Sequence, residues 1–322
     1  MADPRIAAVI LAAGKGTRLK SELPKVLHAV CGRPMLAWVF DACRDAGVRT
    51  CIAVIGHGKD LVIDAFADDG DITWVEQSPQ LGTGHAVMVC RDHVQEYDHV
   101  LVLCGDGPLI RAETIRELLA RHLAERNAAT LATAVLDDPT GYGRICRDAD
   151  GRLQGIVEHN DCTPPQRQIH EVNPSYYCFQ VPALLPALDG LQPNNAKKEY
   201  YITDTLTLMQ QAGGSLAAIP NVPPEDIYSI NSRKELALVN RVMRDRVLAR
   251  LMEDGVTIID PATTWIDARA VIGRDTVIRP FVEISGPAQI GCECCIGPFI
   301  HLTGTARVPD YTMLSASSGA PA

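Results

Sequence analysis

A run of aliphatic residues spaced six apart constrains the fold of this chain more than any other feature of its sequence. The run has nine consecutive members: Ile266, Ile272, Ile278, Ile284, Ile290, Ile296, Leu302, Val308 and Leu314. A six-residue period is typical of the left-handed parallel β-helix, in which each repeat forms one flat side of a triangular coil. We therefore expect a short left-handed parallel β-helix of about three coils over residues 255–322. Residues 315–322 are small and polar, so this end is expected to fray.

Upstream of the repeat, short apolar runs alternate with helical patterns. The predicted strands are residues 6–11, 50–55, 72–75, 100–103 and 129–135, and the predicted helices are residues 35–46, 84–91 and 112–126. Buried strands that alternate with helices predict a Rossmann-like α/β domain over residues 1–231, with a mostly parallel sheet covered on both faces. Ligands of such sheets bind at the carboxyl ends of the strands, so the chemistry is expected in the segments that follow them.

A fourth helical pattern separates the two regions. Ser232 and Glu235 have the spacing of a capping box, in which each side chain accepts a hydrogen bond from the other's backbone N–H. Apolar residues keep helical spacing from Leu236 to Met252, and Gly255 is expected to stop the helix. Residues 232–254 are therefore predicted to form a connector helix between two domains.

The charge balance and the hydropathy pattern argue against several classes of protein. The chain has 39 acidic and 30 basic residues, a net charge of −9, so a broad nucleic-acid surface is not expected. No apolar run approaches the roughly 18 residues of a membrane span, and the run near the N-terminus is too short for a signal peptide. We therefore expect a cytoplasmic protein, with its 11 cysteines reduced, that binds neither nucleic acid nor a membrane.

A glycine-rich loop follows the first predicted strand. The strand ends at Leu11 and runs into the sequence AAGKGTRL of residues 12–19. Glycines let backbone N–H groups approach phosphate oxygens closely, and Lys15, Arg18 and Lys25 add cationic donors. The loop is neither a Walker A motif nor a complete dinucleotide fingerprint, and a bare Gly-x-Gly would equally fit a structural turn. The added Thr-Arg and the Pro-Lys pair that ends at Lys25 favour a phosphate-binding loop.

This combination resembles the signature of the sugar nucleotidyltransferases. More closely, the chain is similar to the bacterial N-acetylglucosamine-1-phosphate uridyltransferase family, whose members are usually fused to a glucosamine-1-phosphate acetyltransferase. Besides the loop, the resemblance rests on residues 24–28, 80–86, 105–109, 137–145, 156–159 and 199–204, and on Asn231. It covers most of residues 1–231, the predicted connector and the start of the repeat, and it implies the fold predicted above.

The resemblance implies a nucleotide site around the loop. The residues implied to bind UTP are Leu11, Ala12, Ala13, Gly14, Gln77, Gly82 and Thr83. The Gln77 amide and the Gly82-Thr83 turn would read the uracil edge, although Gln77 taken alone would be interpreted as a solvated polar residue. Arg18 and Lys25 are implied to be catalytic, since their charges would stabilise the triphosphate and the transition state. His85 is expected to cap or pack its helix, so we do not include it among the catalytic residues.

Asp106 and Asn231 are implied to hold Mg²⁺. Asp106 stands just after the apolar strand 100–103, where its carboxylate is expected to lie over the site. Two protein oxygens together with phosphates and waters suit Mg²⁺, which retains much of its hydration. The alternatives from the residues alone are a turn-forming Asp-Gly pair at Asp106 and a residue preceding a helix cap at Asn231.

Three further residues are implied to hold the sugar: Gly143, Glu158 and Asn173. Here the sequence departs from the family pattern. Pro174 and Ser175 stand where the family usually has Thr-Gly, and a proline fixes the backbone and removes a donor close to the sugar. Cys104 also replaces a larger residue of the predicted pocket wall. The sugar partner is therefore predicted with less support than nucleotidyl transfer.

The resemblance implies direct transfer of UMP from UTP to N-acetylglucosamine 1-phosphate, with release of pyrophosphate. A phosphate dianion is already a nucleophile, so positioning and charge neutralisation would suffice, with Mg²⁺ bridging the two phosphates. The alternatives are the same chemistry on another sugar 1-phosphate or base, an acyltransferase built on the β-helix, and a non-catalytic sugar-nucleotide sensor. Acetyl transfer is predicted to be absent, because His301 is the one histidine of the repeats and few coils are present. The β-helix would then support either a homotrimer or a monomer with capped edges.

Overall fold

The computed structural model describes residues 4–195 and 197–315, and the chain divides into two compact units. The first unit comprises residues 1–27 and 35–232, and the second comprises residues 28–34 and 233–322. The division after Ser232 adjoins the domain boundary predicted at residue 231, and it assigns the helix that follows to the second unit. Most of the end that was predicted to fray, residues 316–322, lies outside the described residues.

A nine-stranded sheet forms the centre of the first unit. Its main strand order is Leu216–Ile219, Ala129–Val135, Glu171–Gln180, His99–Cys104, Ile6–Leu11, Thr50–Ile55 and Ile72–Glu76. The strand Gly143–Arg147 pairs with Glu171–Gln180, and Leu153–Val157 pairs with Gly143–Arg147. Apart from these two strands and Glu171–Gln180, which run antiparallel to their neighbours, the sheet is parallel, as predicted.

Seven α-helices accompany this sheet among the described residues of the first unit. They are Met35–Asp45, Lys59–Ala65, Thr83–Met88, Arg91–Val94, Ala112–Glu125, Val181–Asp189 and Asp204–Gln211. The central strand Ile6–Leu11 is wholly buried from Ala7 to Ile10, because apolar neighbours cover both of its faces. Within residues 4–195 and 197–315, no helix has both the length and the apolar content needed to cross a membrane.

The predicted elements agree with the structure to different degrees. The strands Ile6–Leu11, Thr50–Ile55 and Ala129–Val135 have the predicted bounds. The single helix predicted over residues 84–91 is wrong, since two helices, Thr83–Met88 and Arg91–Val94, occupy this segment. At Cys90 the backbone leaves the helical region, and its N–H bonds three residues back to Val87 instead of four.

The strand Glu171–Gln180 was not predicted from the sequence. Its pairing with Ala129–Val135 shifts register between Val172 and Tyr176, so an irregular bulge interrupts the alternation of apolar and polar residues. Pro174 lies in this bulge, where its missing N–H removes no bond of the regular ladder. Ser175 follows with φ 67°, in the left-handed region that favours glycine.

The second unit contains one long helix and the parallel strands of the six-residue repeat. The helix spans Arg233–Glu253, within one residue of the predicted bounds. The strands of the repeat are Trp265–Ile266, Val271–Ile272, Val277–Ile278, Val282–Ser285, Gln289–Ile290, Cys295–Ile296, Ile300–Thr303, Arg307–Val308 and Met313–Leu314, with Thr257–Ile258 before them. A short hairpin, Ala29–Val30 paired with Arg33–Pro34, also belongs to this unit.

The repeat forms a parallel β-helix, as its spacing predicts, and agrees with the left-handed form. Ile266 pairs with Ile284 and Ile284 with Leu302, so each coil contains 18 residues, or three repeats. All nine residues of the run lie on strands, and Ile278 and Ile296 are fully buried. The stacked aliphatic side chains therefore form the core of this unit.

A buried histidine in the first unit predicts a dependence of stability on pH. His122 is completely buried, with Nε2 3.0 Å from His99 Nδ1 and Nδ1 3.0 Å from Thr130 Oγ1. Burial, followed by the nearby His99, lowers the pKa of His122 from 6.5 to about 4. Between pH 6.5 and pH 4 the His122 side chain is therefore protonated in the unfolded chain but neutral in the folded one. The free energy of unfolding falls as pH drops through this range.

We expect the wild-type protein to lose about 2 kcal/mol more unfolding free energy between pH 7 and pH 4.5 than a His122→Gln variant. The glutamine keeps a polar side chain at this position but does not titrate. Urea unfolding followed by circular dichroism at both pH values measures the difference. Equal losses in the two proteins would contradict the assignment of this titration to His122.

Candidate active site

The glycine-rich loop leaves the sheet at the carboxyl end of its central strand. The N–H of Ala12 still donates to Val54 O at 2.8 Å, and the chain then departs from the sheet. Gly16 has φ 60°, and a Cβ there would lie 2.7 Å from Lys25 Cβ. A glycine is therefore required for both the backbone conformation and the close approach of Lys25 to the loop.

A cavity of about 340 Å³ opens beside this loop. It is lined by all seven residues predicted to bind the nucleotide: Leu11, Ala12, Ala13, Gly14, Gln77, Gly82 and Thr83. Lys25 and Asp106 line it too. Gln80 and Glu199 also line this cavity and were not predicted to bind the nucleotide, although both belong to sequence blocks on which the resemblance rests. The Gln80 side chain donates to Ala13 O and so links the loop to the segment before the Gly82 turn.

Lys25 and Asp106 meet in the wall of this cavity, and Asn231, which does not line it, contacts Lys25. The Lys25 ammonium donates to Asp106 Oδ2 and, at 2.8 Å, to Asn231 Oδ1. The N–H of Ile230 donates to the backbone oxygen of Asp106 at 3.0 Å, which holds the two segments together. Asn231 Nδ2 donates to Ser229 Oγ at 3.2 Å, so the amide oxygen is the atom turned towards the lysine. A carboxylate oxygen and an amide oxygen thus both contact the Lys25 ammonium. The same pair of oxygens would suit a hard divalent cation.

The Gly82 turn also lines this cavity. Gly82 has φ 111°, and a Cβ there would lie 2.5 Å from Tyr200 O, so no side chain fits. The Thr83 hydroxyl accepts a hydrogen bond from the N–H of Ile202 at 3.1 Å. Gln77 reaches the turn from the next segment, with Nε2 2.9 Å from Gly82 O. The turn and Gln77 are therefore held in a fixed relation to each other.

A second cavity, of about 220 Å³, contains the three residues predicted to hold the sugar. These are Gly143, Glu158 and Asn173. Burial raises the pKa of the Glu158 carboxyl. Asn173 Nδ2 donates to the Tyr177 hydroxyl at 2.6 Å, and Asn173 Oδ1 accepts from the N–H of Ser175 at 3.0 Å. The orientation of the Asn173 amide is therefore fixed by the protein itself.

The departures from the family pattern lie in the wall of this second cavity. Pro174, Ser175 and Cys104 all line it. Burial raises the pKa of the Cys104 thiol to about 12, so the thiol is neutral at neutral pH. Cys104 and Asp106 line the first cavity as well, so the two cavities adjoin at these residues.

Arg18 is the one predicted catalytic residue that does not line either cavity. It lies on the short turn Thr17–Leu19, and its side chain is exposed. Its role stays a prediction. The sequence pattern locates Arg18 beside the loop but does not determine the direction of a long, exposed side chain.

Comparison with known proteins finds relatives among nucleotidyltransferases. Residues 8–196 match the MobA-like NTP transferase domain. The bifunctional protein GlmU of Alkaliphilus metalliredigens is 45% identical over 285 residues, which cover 88% of this chain and 62% of the relative. GlmU of Geobacillus thermodenitrificans is 47% identical over 280 residues, covering 87% and 61%. The chain thus spans about three-fifths of the length of these relatives.

Two solved structures share the fold of the first unit at low sequence identity. One is a putative glucose-1-phosphate thymidylyltransferase from Bacillus anthracis, with a TM-score of 0.62 and 20% identity over 74% of this chain and 96% of the other. The other is a UDP-glucose pyrophosphorylase complexed with UDP-glucose, with a TM-score of 0.62, 15% identity and coverage of 74% and 98%. At these identities the likeness concerns the fold alone.

Proposed function

Because the chain belongs to the MobA-like NTP transferase domain family, we propose that it transfers UMP from UTP to N-acetylglucosamine 1-phosphate. The products are UDP-N-acetylglucosamine and pyrophosphate. GlmU relatives at 43–47% identity support this assignment, and the proposal concerns the uridylyl-transfer step alone.

The observation that carries the proposal is the meeting of two cavities at Asp106. The glycine-rich loop, Lys25 and the Gly82 turn line one cavity, which suits a nucleoside triphosphate. Glu158 and Asn173 line the other, which offers a carboxylate and an amide to sugar hydroxyl and acetamido groups. A nucleoside triphosphate in the first cavity and a sugar phosphate in the second would meet near Asp106 and Lys25.

Direct displacement fits the residues that are present. An oxygen of the sugar phosphate attacks the α-phosphorus of UTP, the new P–O bond forms, and the bond to the β-phosphate breaks as pyrophosphate leaves. The phosphate dianion needs no general base, so the protein contributes alignment and positive charge. Lys25, and Arg18 from the exposed turn, would stabilise the charge of the triphosphate.

Asp106 and Asn231 would hold the divalent cation, which we propose to be Mg²⁺. Their oxygens face the same point from two segments, and this suits an ion bound through few protein ligands. When bound, the ion would neutralise phosphate charge. The bond to Ser229 orients the Asn231 amide, and the N–H of Ile230 holds the backbone of Asp106, which supports this proposal.

Pyrophosphate release tests the proposed function. We expect the highest kcat/KM with UTP and N-acetylglucosamine 1-phosphate when UTP, dTTP and CTP are each paired with N-acetylglucosamine, glucosamine and glucose 1-phosphates. Omission of divalent cation is expected to abolish the release. A preference for glucose 1-phosphate would move the assignment to another sugar, as the Pro174-Ser175 departure allows. No release with any pair would contradict nucleotidyl transfer itself.

Two wider parts of the proposal concern the setting of the enzyme. We propose a cytoplasmic enzyme and a homotrimer assembled through the β-helix. The β-helix exposes large apolar side chains, among them Val271, Phe299 and Met313, which a partner copy would cover.

A further inference from the structure

The orientation of the Gln77 side chain is fixed by two neighbours. Gln77 Nε2 lies 2.9 Å from Gly82 O and 3.1 Å from His85 Nδ1. A backbone carbonyl oxygen only accepts hydrogen bonds, so the nitrogen end of the amide must point to Gly82. Oε1 is therefore turned away from Gly82 and His85. The Gln77 side chain lines the nucleotide cavity.

This arrangement also fixes the state of His85. Both N–H bonds of the amide are donors, so His85 Nδ1 must accept and the ring must be neutral with its proton on Nε2. Burial lowers the pKa of His85, which agrees with a neutral ring. The ring also lies 6.4 Å from that of Tyr200, centroid to centroid, which accounts for its packing. Between residues 4–195 and 197–315, no hydrogen bond to Gln77 Oε1 occurs.

The orientation of this amide matters for the choice of base. Uracil presents an N3–H donor on its pairing edge, whereas cytosine presents an unprotonated N3 acceptor beside its amino group. An amide oxygen turned to the base complements uracil, and an amide nitrogen turned to the base complements cytosine. A site that holds one orientation leaves a polar group unpaired against the wrong base.

We propose that His85 is a positioning residue for base selection, because it holds the Gln77 amide with its oxygen available to uracil. The inference rests on the proposed function, which supplies the nucleotide. His85 itself does not contact the base. It acts as the second acceptor for the Gln77 amide, and without it one N–H of a buried side chain has no partner in this arrangement.

A matched pair of substitutions separates this role from simple packing. In His85→Asn, the side-chain Oδ1 can replace Nδ1 as acceptor, whereas in His85→Gln the polar group lies one carbon further out. We expect His85→Asn to keep the wild-type ratio of kcat/KM for UTP over CTP. We expect His85→Gln to lower that ratio about tenfold, mainly through a higher KM for UTP with little change in kcat. His93→Gln, an exposed histidine on a neighbouring helix, serves as the control.

Calorimetric binding of UTP and CTP to the same variants supplies a second measurement that does not require turnover. A thermal melt of each variant identifies any loss of fold. If His85→Gln folds and keeps the wild-type discrimination between UTP and CTP, the positioning role is overturned. If the wild-type protein itself neither binds nor turns over UTP, the proposed function fails instead, so the two failures are distinguishable.

Discussion

Replacing Asp106 with alanine is expected to lower kcat for nucleotidyl transfer by roughly a thousandfold. Among the contacting residues Lys25, Asp106 and Asn231, Asp106 carries the negative charge, and it lies where the two cavities adjoin. Its loss removes an oxygen that we propose to bind the divalent cation. Within the described residues it also removes one of the two side-chain acceptors of the Lys25 ammonium, the other being Asn231 Oδ1. Single-turnover measurement of pyrophosphate release at saturating substrates gives the effect on the chemical step.

The fold is expected to survive the Asp106→Ala substitution. The backbone bond from Ile230 to Asp106 does not involve the side chain, and the strand His99–Cys104 that precedes it is buried independently. Asp106→Asn keeps the shape of the side chain and removes only the charge, so it isolates the electrostatic part. Asp92→Ala, on the exposed side of a short helix, is the matched control. Wild-type kcat in Asp106→Ala, with an unchanged melting temperature, would contradict the assignment.

Much of the fold could be predicted because its elements leave local patterns in the sequence. The strand Ile6–Leu11 is continuous in apolar residues, since helices cover both faces of a parallel sheet. The repeat is more regular still, because residues six apart along the chain occupy equivalent positions on successive sides of a coil. In both cases the burial that determines the structure produces a regular pattern of apolar residues, which can be recognised in the sequence.

The strand Glu171–Gln180 lacks such a pattern. A bulge interrupts its alternation, and its neighbours in the sheet come from segments far away in the chain. Its antiparallel direction depends on how the whole sheet is assembled, which no local pattern encodes. The loss of a donor near the sugar at Pro174 stays a prediction. The sequence did not show that Ser175 would take a left-handed conformation beside Asn173.

The site shows the same contrast between local and distant information. The phosphate loop is contiguous, and all of the residues predicted to contact the nucleotide line one cavity. The contact of Lys25 with Asp106 and Asn231 joins residues 81 and 206 positions apart. From the sequence, the lysine is expected to bind the triphosphate and the other two residues the metal. No local pattern indicates that the ammonium bridges the two proposed ligands.

Replacing Lys25 with methionine is expected to change two measurements in opposite directions. Activity should fall about a hundredfold, because a cation that would neutralise the triphosphate is lost. Affinity of the nucleotide-free protein for a divalent cation should rise about tenfold, because the ammonium no longer competes for the two oxygens. Methionine has nearly the same length as lysine and can pack beside Gly16 as the lysine stem does. Calorimetric titration with Mg²⁺ or Mn²⁺ alone measures the second effect.

Because activity is expected to fall while cation affinity rises, this prediction is more specific than a loss of activity alone. A general disturbance of the site would weaken both turnover and cation binding, whereas removal of a competing charge weakens only the first. Lys59→Met, at a partly exposed lysine paired with Glu76, controls for the loss of one positive charge from the surface. If Lys25→Met binds the cation no more tightly than the Lys59→Met control, then Asp106 and Asn231 do not form the cation site. The ammonium bridge would in that case be a structural contact that holds the segment after the loop against the sheet.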